Sequence, residues 1–95
     1  MTLEEFMQNV DQNVVPRNKL LQALYHDKKG DWNTAHQIIQ DINSKAAARI
    51  HAYLHREEGD LPNAGYWYSR ASAERYTGSL NDEWTALVVD LLKKI

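Results

Sequence analysis

The sequence predicts an all-α protein of five or six helices. Apolar residues recur at helical spacing in five segments, most regularly near the end of the chain, where Trp84, Leu87, Val88 and Leu91 share one face. No segment alternates apolar and polar residues over a useful length, which argues against a β-sheet. A 29-residue internal repeat is the third observation, because it predicts two similar helix hairpins in succession.

The length and composition limit the classes of protein that are compatible with the chain. Its 95 residues suffice for a single domain, 1–95. The 13 acidic residues outnumber the 11 basic ones, so the charge argues against nucleic acid and against an anionic membrane as partners. The absence of Cys excludes disulfides, thiolate metal sites and cysteine nucleophiles.

The N-terminus carries no targeting signal that we recognise. Glu4 and Glu5 make it acidic, and no apolar run approaches the roughly 18 residues that a membrane span requires. We therefore expect neither a signal peptide nor a membrane anchor, and we expect a cytoplasmic location.

Helix boundaries follow from caps and breakers. Thr2 and Glu5 have the spacing of a capping box, which predicts a first helix over 2–14 that ends before Pro16. Ser44 is a candidate cap between two hairpins. The predicted organisation is a capping helix over 2–14, hairpins over 17–42 and 46–71, and a C-terminal capping helix over 81–95.

The repeat places the same two residues at the corner of each hairpin. Gly30 and Asp31 recur as Gly59 and Asp60, 29 residues later. Glycine adopts the left-handed conformation that ends a helix, and an aspartate side chain accepts bonds from the first free amides of the next helix. Each pair therefore predicts a tight turn between antiparallel helices.

The hairpins resemble tetratricopeptide repeats. The resemblance rests on a small residue, a Gly-Asp corner and an alanine five residues beyond the glycine, as in Ala23, Gly30-Asp31 and Ala35. It implies stacked hairpins with the first and last helices as caps at both ends. The strings 30–36, 51–60 and 66–71 also resemble those of a family of small bacterial proteins of unknown function.

The same resemblance implies a peptide-binding groove. Tetratricopeptide domains bind extended peptides along the first helix of each hairpin, so Arg49, Tyr53 and Arg56 would line the groove at i, i+4 and i+7. Two guanidiniums would hold a carboxylate, and Leu20 and Leu24 would supply apolar contact. The alternative is that both arginines are solvated and pair with acidic neighbours.

The histidines do not form a metal motif in the sequence. His51 and His55 lie four residues apart on one helix, but no spacing fixes a third ligand, and no glutamate follows His51. His26 is the repeat equivalent of His55, which favours a structural role for both, and we interpret His36 as a surface side chain. We therefore predict no metal and no cofactor.

Binding is favoured over catalysis. The chain has no serine hydrolase, Walker or dinucleotide motif, so it is expected not to be an enzyme. The leading hypothesis is a non-enzymatic protein-interaction module for a peptide or protein segment with an acidic group. One alternative is a structural homodimer that pairs through an aromatic or terminal-helix face, with Tyr66 a candidate. A small metal-dependent enzyme that uses His51 and His55 is less favoured.

Overall fold

The computed structural model describes all 95 residues, and it contains six helices and no strand, which confirms the all-α prediction. None of these helices is both long enough and apolar enough to cross a membrane. The helices are α1 (Leu3–Asp11), α2 (Lys19–Lys28), α3 (Trp32–Gln40), α4 (Lys45–Glu57), α5 (Leu61–Arg70) and α6 (Leu80–Lys94).

The helices are arranged as two hairpins and two terminal helices. α2 packs against α3, α4 packs against α5, and α3 contacts α4, so the hairpins lie side by side. α6 packs against both α2 and α4, and α1 contacts α6. α6 therefore lies across the first helix of each hairpin.

Both predicted corners have the expected geometry. Gly30 and Gly59 adopt left-handed φ values of 86° and 87°. The N–H groups of Asp31 and Asp60 each donate to a carbonyl five residues earlier, at 2.9 Å in both corners. Each aspartate side chain then accepts a bond from the backbone N–H three residues later. One side of each corner ends a helix and the other side begins the next.

The first helix is shorter than its sequence predicts. The periodicity extends to Val14, but α1 ends at Asp11 because Asn13 adopts a left-handed φ of 61°. The N–H of Val14 donates to the Asn9 carbonyl at 2.8 Å, which closes the same type of C-terminal turn. Val14 is consequently about half exposed, outside the core to which its spacing assigned it.

The main core lies where α2, α4 and α6 meet. Its largest fully buried apolar side chains include Trp84 and Phe6, whose ring centroids are 6.0 Å apart. The indole N–H of Trp84 donates to the Leu24 carbonyl at 3.0 Å, which ties α6 to α2. A smaller cluster of Ala52, Ala64 and Tyr68 joins α4 to α5.

Substitution at Gly59 tests the corner geometry. A Cβ added there meets no atom within 4 Å, so the cost of a larger residue comes from the left-handed backbone alone. We expect Gly59→Val to lower the free energy of unfolding by about 1 kcal/mol or more, because β-branched residues disfavour positive φ. Gly59→Asn should cost less, since asparagine tolerates this conformation. Equal urea midpoints for the valine variant and the parent would contradict the assignment.

Candidate functional site

A carboxylate is buried between two arginines where α4, α5 and α6 meet. The Glu83 side chain on α6 is fully inaccessible to solvent. One of its oxygens lies 2.6 Å from Nη1 of Arg49, and the other lies 2.9 Å from Nη1 of Arg56. The Tyr68 hydroxyl donates to the oxygen that Arg49 contacts. These four residues form the Glu83 cluster, in which both carboxylate oxygens have charged donors.

Three helices position the Glu83 cluster. Arg49 and Arg56 are seven residues apart, so two turns of α4 place them on one face. Glu83 lies in the first turn of α6, whose N-cap is Ser79. Arg56 also donates to the carbonyl of Gly78, and the Tyr76 ring lies about 6 Å from both guanidiniums. The segment between α5 and α6 is thereby fixed over the arginines.

The expected peptide-binding face is covered by this chain's own helix. Arg49 and Arg56 do hold a carboxylate, but it belongs to α6. Tyr53 and Leu24 are buried, with 3% and 0% of their surface exposed, and Leu20 packs partly buried against the core. The arginines are therefore not solvated surface groups either. No sequence spacing links Glu83 to its partners, which lie 27 and 34 residues earlier.

Three imidazoles converge beside α3 and α4. One ring nitrogen each of His36, His51 and His55 lies within 4.8 Å of the other two. The closest contact joins Nε2 of His36 to Nε2 of His51 at 3.1 Å. His51 and His55 are buried, while His36 is partly exposed. We call these three residues the histidine cluster.

The rings of the histidine cluster are held by aromatic and acidic neighbours. Trp67 stacks on His51 with centroids 3.8 Å apart, and Trp32 stacks on His36 at 4.8 Å. Nδ1 of His55 lies 2.6 Å from a carboxylate oxygen of Glu58. Each imidazole therefore has a partner that restricts its rotation.

Burial makes two members of the histidine cluster poor bases. Burial, and then the neighbouring imidazoles of His36 and His55, lower the pKa of His51 to about 4. The pKa of His36 is lowered by burial and then by His55. Both rings are consequently neutral at pH 7, the form in which imidazole binds metal ions.

His36 is the member that sequence reasoning missed. The sequence alone predicts a surface side chain at this position, because its distance from His51 along the chain corresponds to no ligand motif. Packing of α3 against α4 brings the two rings together. The only available signal was the hairpin topology itself, which places successive helices side by side. His26, by contrast, lies edge-on to Tyr25 and is outside the cluster.

Glu57 is a second acidic group with unusual behaviour, because it keeps its proton to a higher pH than an ordinary glutamate does. Burial, and then the neighbouring Asp27, raises the pKa of Glu57 to about 8. The Tyr53 hydroxyl lies 3.4 Å from Oε2 of Glu57, and Oε1 is buried with no donor. A proton on Glu57 reduces the repulsion between the two carboxyl groups.

An aromatic surface on α5 remains open. Tyr66 has 52% of its surface exposed. Nη1 of Arg70 donates a hydrogen bond to the phenol oxygen of Tyr66 at 2.9 Å. The Arg70 guanidinium also lies over the rings of Tyr66 and Trp67, at 5.8 Å and 5.3 Å. We call these three residues the α5 aromatic face. A surface cavity of about 490 Å³ adjoins it, bounded also by Lys45 and Asp41.

The fold and these clusters define a small helical protein of two packed hairpins with a buried ion-pair centre. No family model, curated protein or solved structure matches the chain.

Neutralising Glu83 should destabilise the fold strongly. Glu83→Gln leaves two guanidiniums without a buried counter-charge, so we expect the free energy of unfolding to fall by about 3 kcal/mol. Glu74→Gln, at an exposed position, is the control and should change it by less than about 0.5 kcal/mol. Urea denaturation of both variants measures the difference. Similar losses in the two would contradict a stabilising role for the Glu83 cluster.

The pKa of Glu57 predicts a pH dependence of stability. The ordinary pKa of a glutamate is 4.5, and that of Glu57 in the folded state is about 8. Between these pH values Glu57 keeps a proton in the folded state that it loses in the unfolded state. The contribution of Glu57 to the free energy of unfolding should therefore fall as the pH rises through this range. The lowered pKa of His51 acts in the opposite direction between about pH 4 and 6.5, so we expect the net fall in stability of the parent above about pH 6.5. Glu57→Gln cannot titrate and should reduce that slope, whereas Glu74→Gln should retain it. Denaturation series at several pH values would refute the assignment if the parent and the Glu57 variant had the same slope.

Proposed function

We propose that the chain is a non-enzymatic protein-interaction module that binds a protein segment with an acidic group on the α5 aromatic face. The observation that carries the proposal is the arrangement of Tyr66, Trp67 and Arg70 beside the 490 Å³ cavity. Tyrosine, tryptophan and arginine are the residues most enriched at the energetic centres of protein interfaces.

The charge at this surface favours an acidic segment. Lys45 and Arg70 bound the cavity together with the single acidic residue Asp41. None of the three ion pairs in the molecule includes Lys45 or Arg70, so both cations are free to receive a partner's carboxylate. The hydrogen bond to Tyr66 already orients the guanidinium, which reduces the entropy lost on binding.

The proposed location differs from the groove implied by the tetratricopeptide resemblance. α6 covers that groove, with Glu83 between its two arginines. Replacing Arg49 and Arg56 would consequently remove the buried pair and destabilise the fold. Tyr66 and Arg70 of the α5 aromatic face can be replaced without touching the core, because both are exposed.

Selection from a random peptide library tests the proposal. We expect the selected peptides to be enriched in Asp and Glu and to bind more weakly as salt is added. Arg70→Gln should weaken binding by about tenfold or more, because a charge-assisted bond contributes about 1.5–3 kcal/mol. Arg75→Gln is the matched control, since Arg75 is exposed but does not border the cavity. Equal loss in both variants, or no acidic enrichment, would contradict the proposal.

Sedimentation equilibrium separates the proposal from self-association. If the α5 aromatic face pairs two copies of the chain, the parent will dimerise with rising concentration and Tyr66→Ala will not. A monomeric parent that still binds the selected peptides is the result we expect.

A further inference from the structure

The histidine cluster brings three nitrogen ligands together without any carboxylate or thiolate among them. His51 and His55 lie on successive turns of α4, and His36 lies on α3. Their ring nitrogens lie within 4.8 Å of one another. This convergence requires the packed hairpins, since two of the rings come from one helix and the third from its neighbour.

We propose that His36, His51 and His55 form a binding site for a divalent transition-metal ion, with zinc as the probe that fits best. Zinc binds imidazole nitrogens at about 2.0–2.1 Å, so two ligands of a tetrahedral site lie about 3.4 Å apart. The Nε2 atoms of His36 and His51 are 3.1 Å apart, close to that value. A ring nitrogen of His55 lies within 4.8 Å of both, so a small shift of this side chain brings all three nitrogens to ligand spacing.

The ligand type selects the class of metal. Imidazole suits zinc, copper, nickel and cobalt, whereas magnesium and calcium require oxygen ligands. His55 also belongs to a second group of possible ligands, in which carboxylate oxygens of Glu58 and Asp60 and a ring nitrogen of His55 lie within 4.8 Å of one another. Both acidic residues are exposed, and their negative charges favour a cation near His55.

The hydrogen-bond partners of His55 resemble the residues that orient a metal-binding histidine from outside the coordination sphere. The Glu58 carboxylate lies 2.6 Å from Nδ1 of His55, which fixes the proton on Nδ1 and leaves Nε2 with a lone pair. The Nδ2 of Asn63 lies 3.4 Å from that Nε2, consistent with an amide donor to the lone pair. Nε2 is therefore the His55 nitrogen that is available to a metal ion once the amide moves away.

The two stacked tryptophans hold the remaining ligands. Trp67 packs on His51 at 3.8 Å, and Trp32 packs on His36 at 4.8 Å. Trp32 is itself anchored, because its indole N–H donates to the Leu54 carbonyl at 2.8 Å. Ligands fixed in this way lose little freedom on binding, which increases the affinity for the ion.

The fourth coordination position would face solvent. His36 is only partly buried, and the exposed residues Glu58 and Asp60 adjoin the same region. Sites with three protein ligands and one open position accept water or an external ligand, while closed structural sites use four protein ligands. The site adjoins the α5 aromatic face and shares Trp67 with it, since this ring stacks on His51.

Equilibrium dialysis of chelator-treated protein against zinc and against magnesium tests the site. We expect one zinc ion per chain and no magnesium. His36→Ala should weaken zinc binding at least about tenfold, and Glu58→Gln should weaken it by about tenfold through loss of the outer-shell contact. His26→Ala is the matched control, because His26 is the one histidine outside the cluster and should leave zinc binding unchanged.

His36→Ala is the decisive variant, because its partly exposed side chain can be removed with least effect on the core. Helical circular dichroism checks that it folds. The visible spectrum of bound cobalt gives a second readout, which should indicate tetrahedral nitrogen ligation in the parent and change in the variant. Absence of zinc uptake by the parent would overturn the proposal and leave the cluster as a hydrogen-bonded packing element. Equal uptake by folded His36→Ala would also overturn it.

Discussion

The structure depends above all on the burial of Glu83 between Arg49 and Arg56. A carboxylate with no solvent contact is costly unless charged donors replace its water, and here two guanidiniums and the Tyr68 hydroxyl do so. This requirement fixes α6 on α4 in one register, because a shift of one residue would move Glu83 away from its donors. It also fixes the preceding segment, whose Gly78 carbonyl accepts from Arg56.

That constraint determines which surfaces are available for function. Once α6 lies on α2 and α4, the face that resembles a peptide groove is part of the core. The chain supplies its own acidic residue there, so the two arginines have a structural role. The outer side of α5 remains accessible, and Tyr66, Trp67 and Arg70 are already oriented by contacts among themselves.

The 29-residue repeat explains the backbone conformation of the two hairpins, but it does not explain which contacts their side chains make. Gly30 and Gly59 occupy equivalent corners with nearly equal φ values, since the same turn requires the same backbone. His26 and His55 are equally equivalent along the chain, yet only His55 joins other imidazoles. A repeated backbone position thus fixes where a side chain begins, while the neighbouring helices decide what it contacts.

The sequence by itself determined the local features of this protein. These features are the caps at Thr2 and Ser44, the two Gly-Asp corners and the helical periodicity. Each of them depends on interactions between residues only a few positions apart, so it can be predicted from the sequence. The left-handed turn at Asn13 is not predicted by the sequence, because a non-glycine residue seldom adopts this conformation.

Only the tertiary structure decided the rest. The partner of Arg49 lies 34 residues away, and the partner of His51 lies on another helix. A single sequence carries no record of such distances, since many packings satisfy the same apolar stripes. The buried ion pair and the third imidazole exist because two hairpins and α6 pack in one particular way.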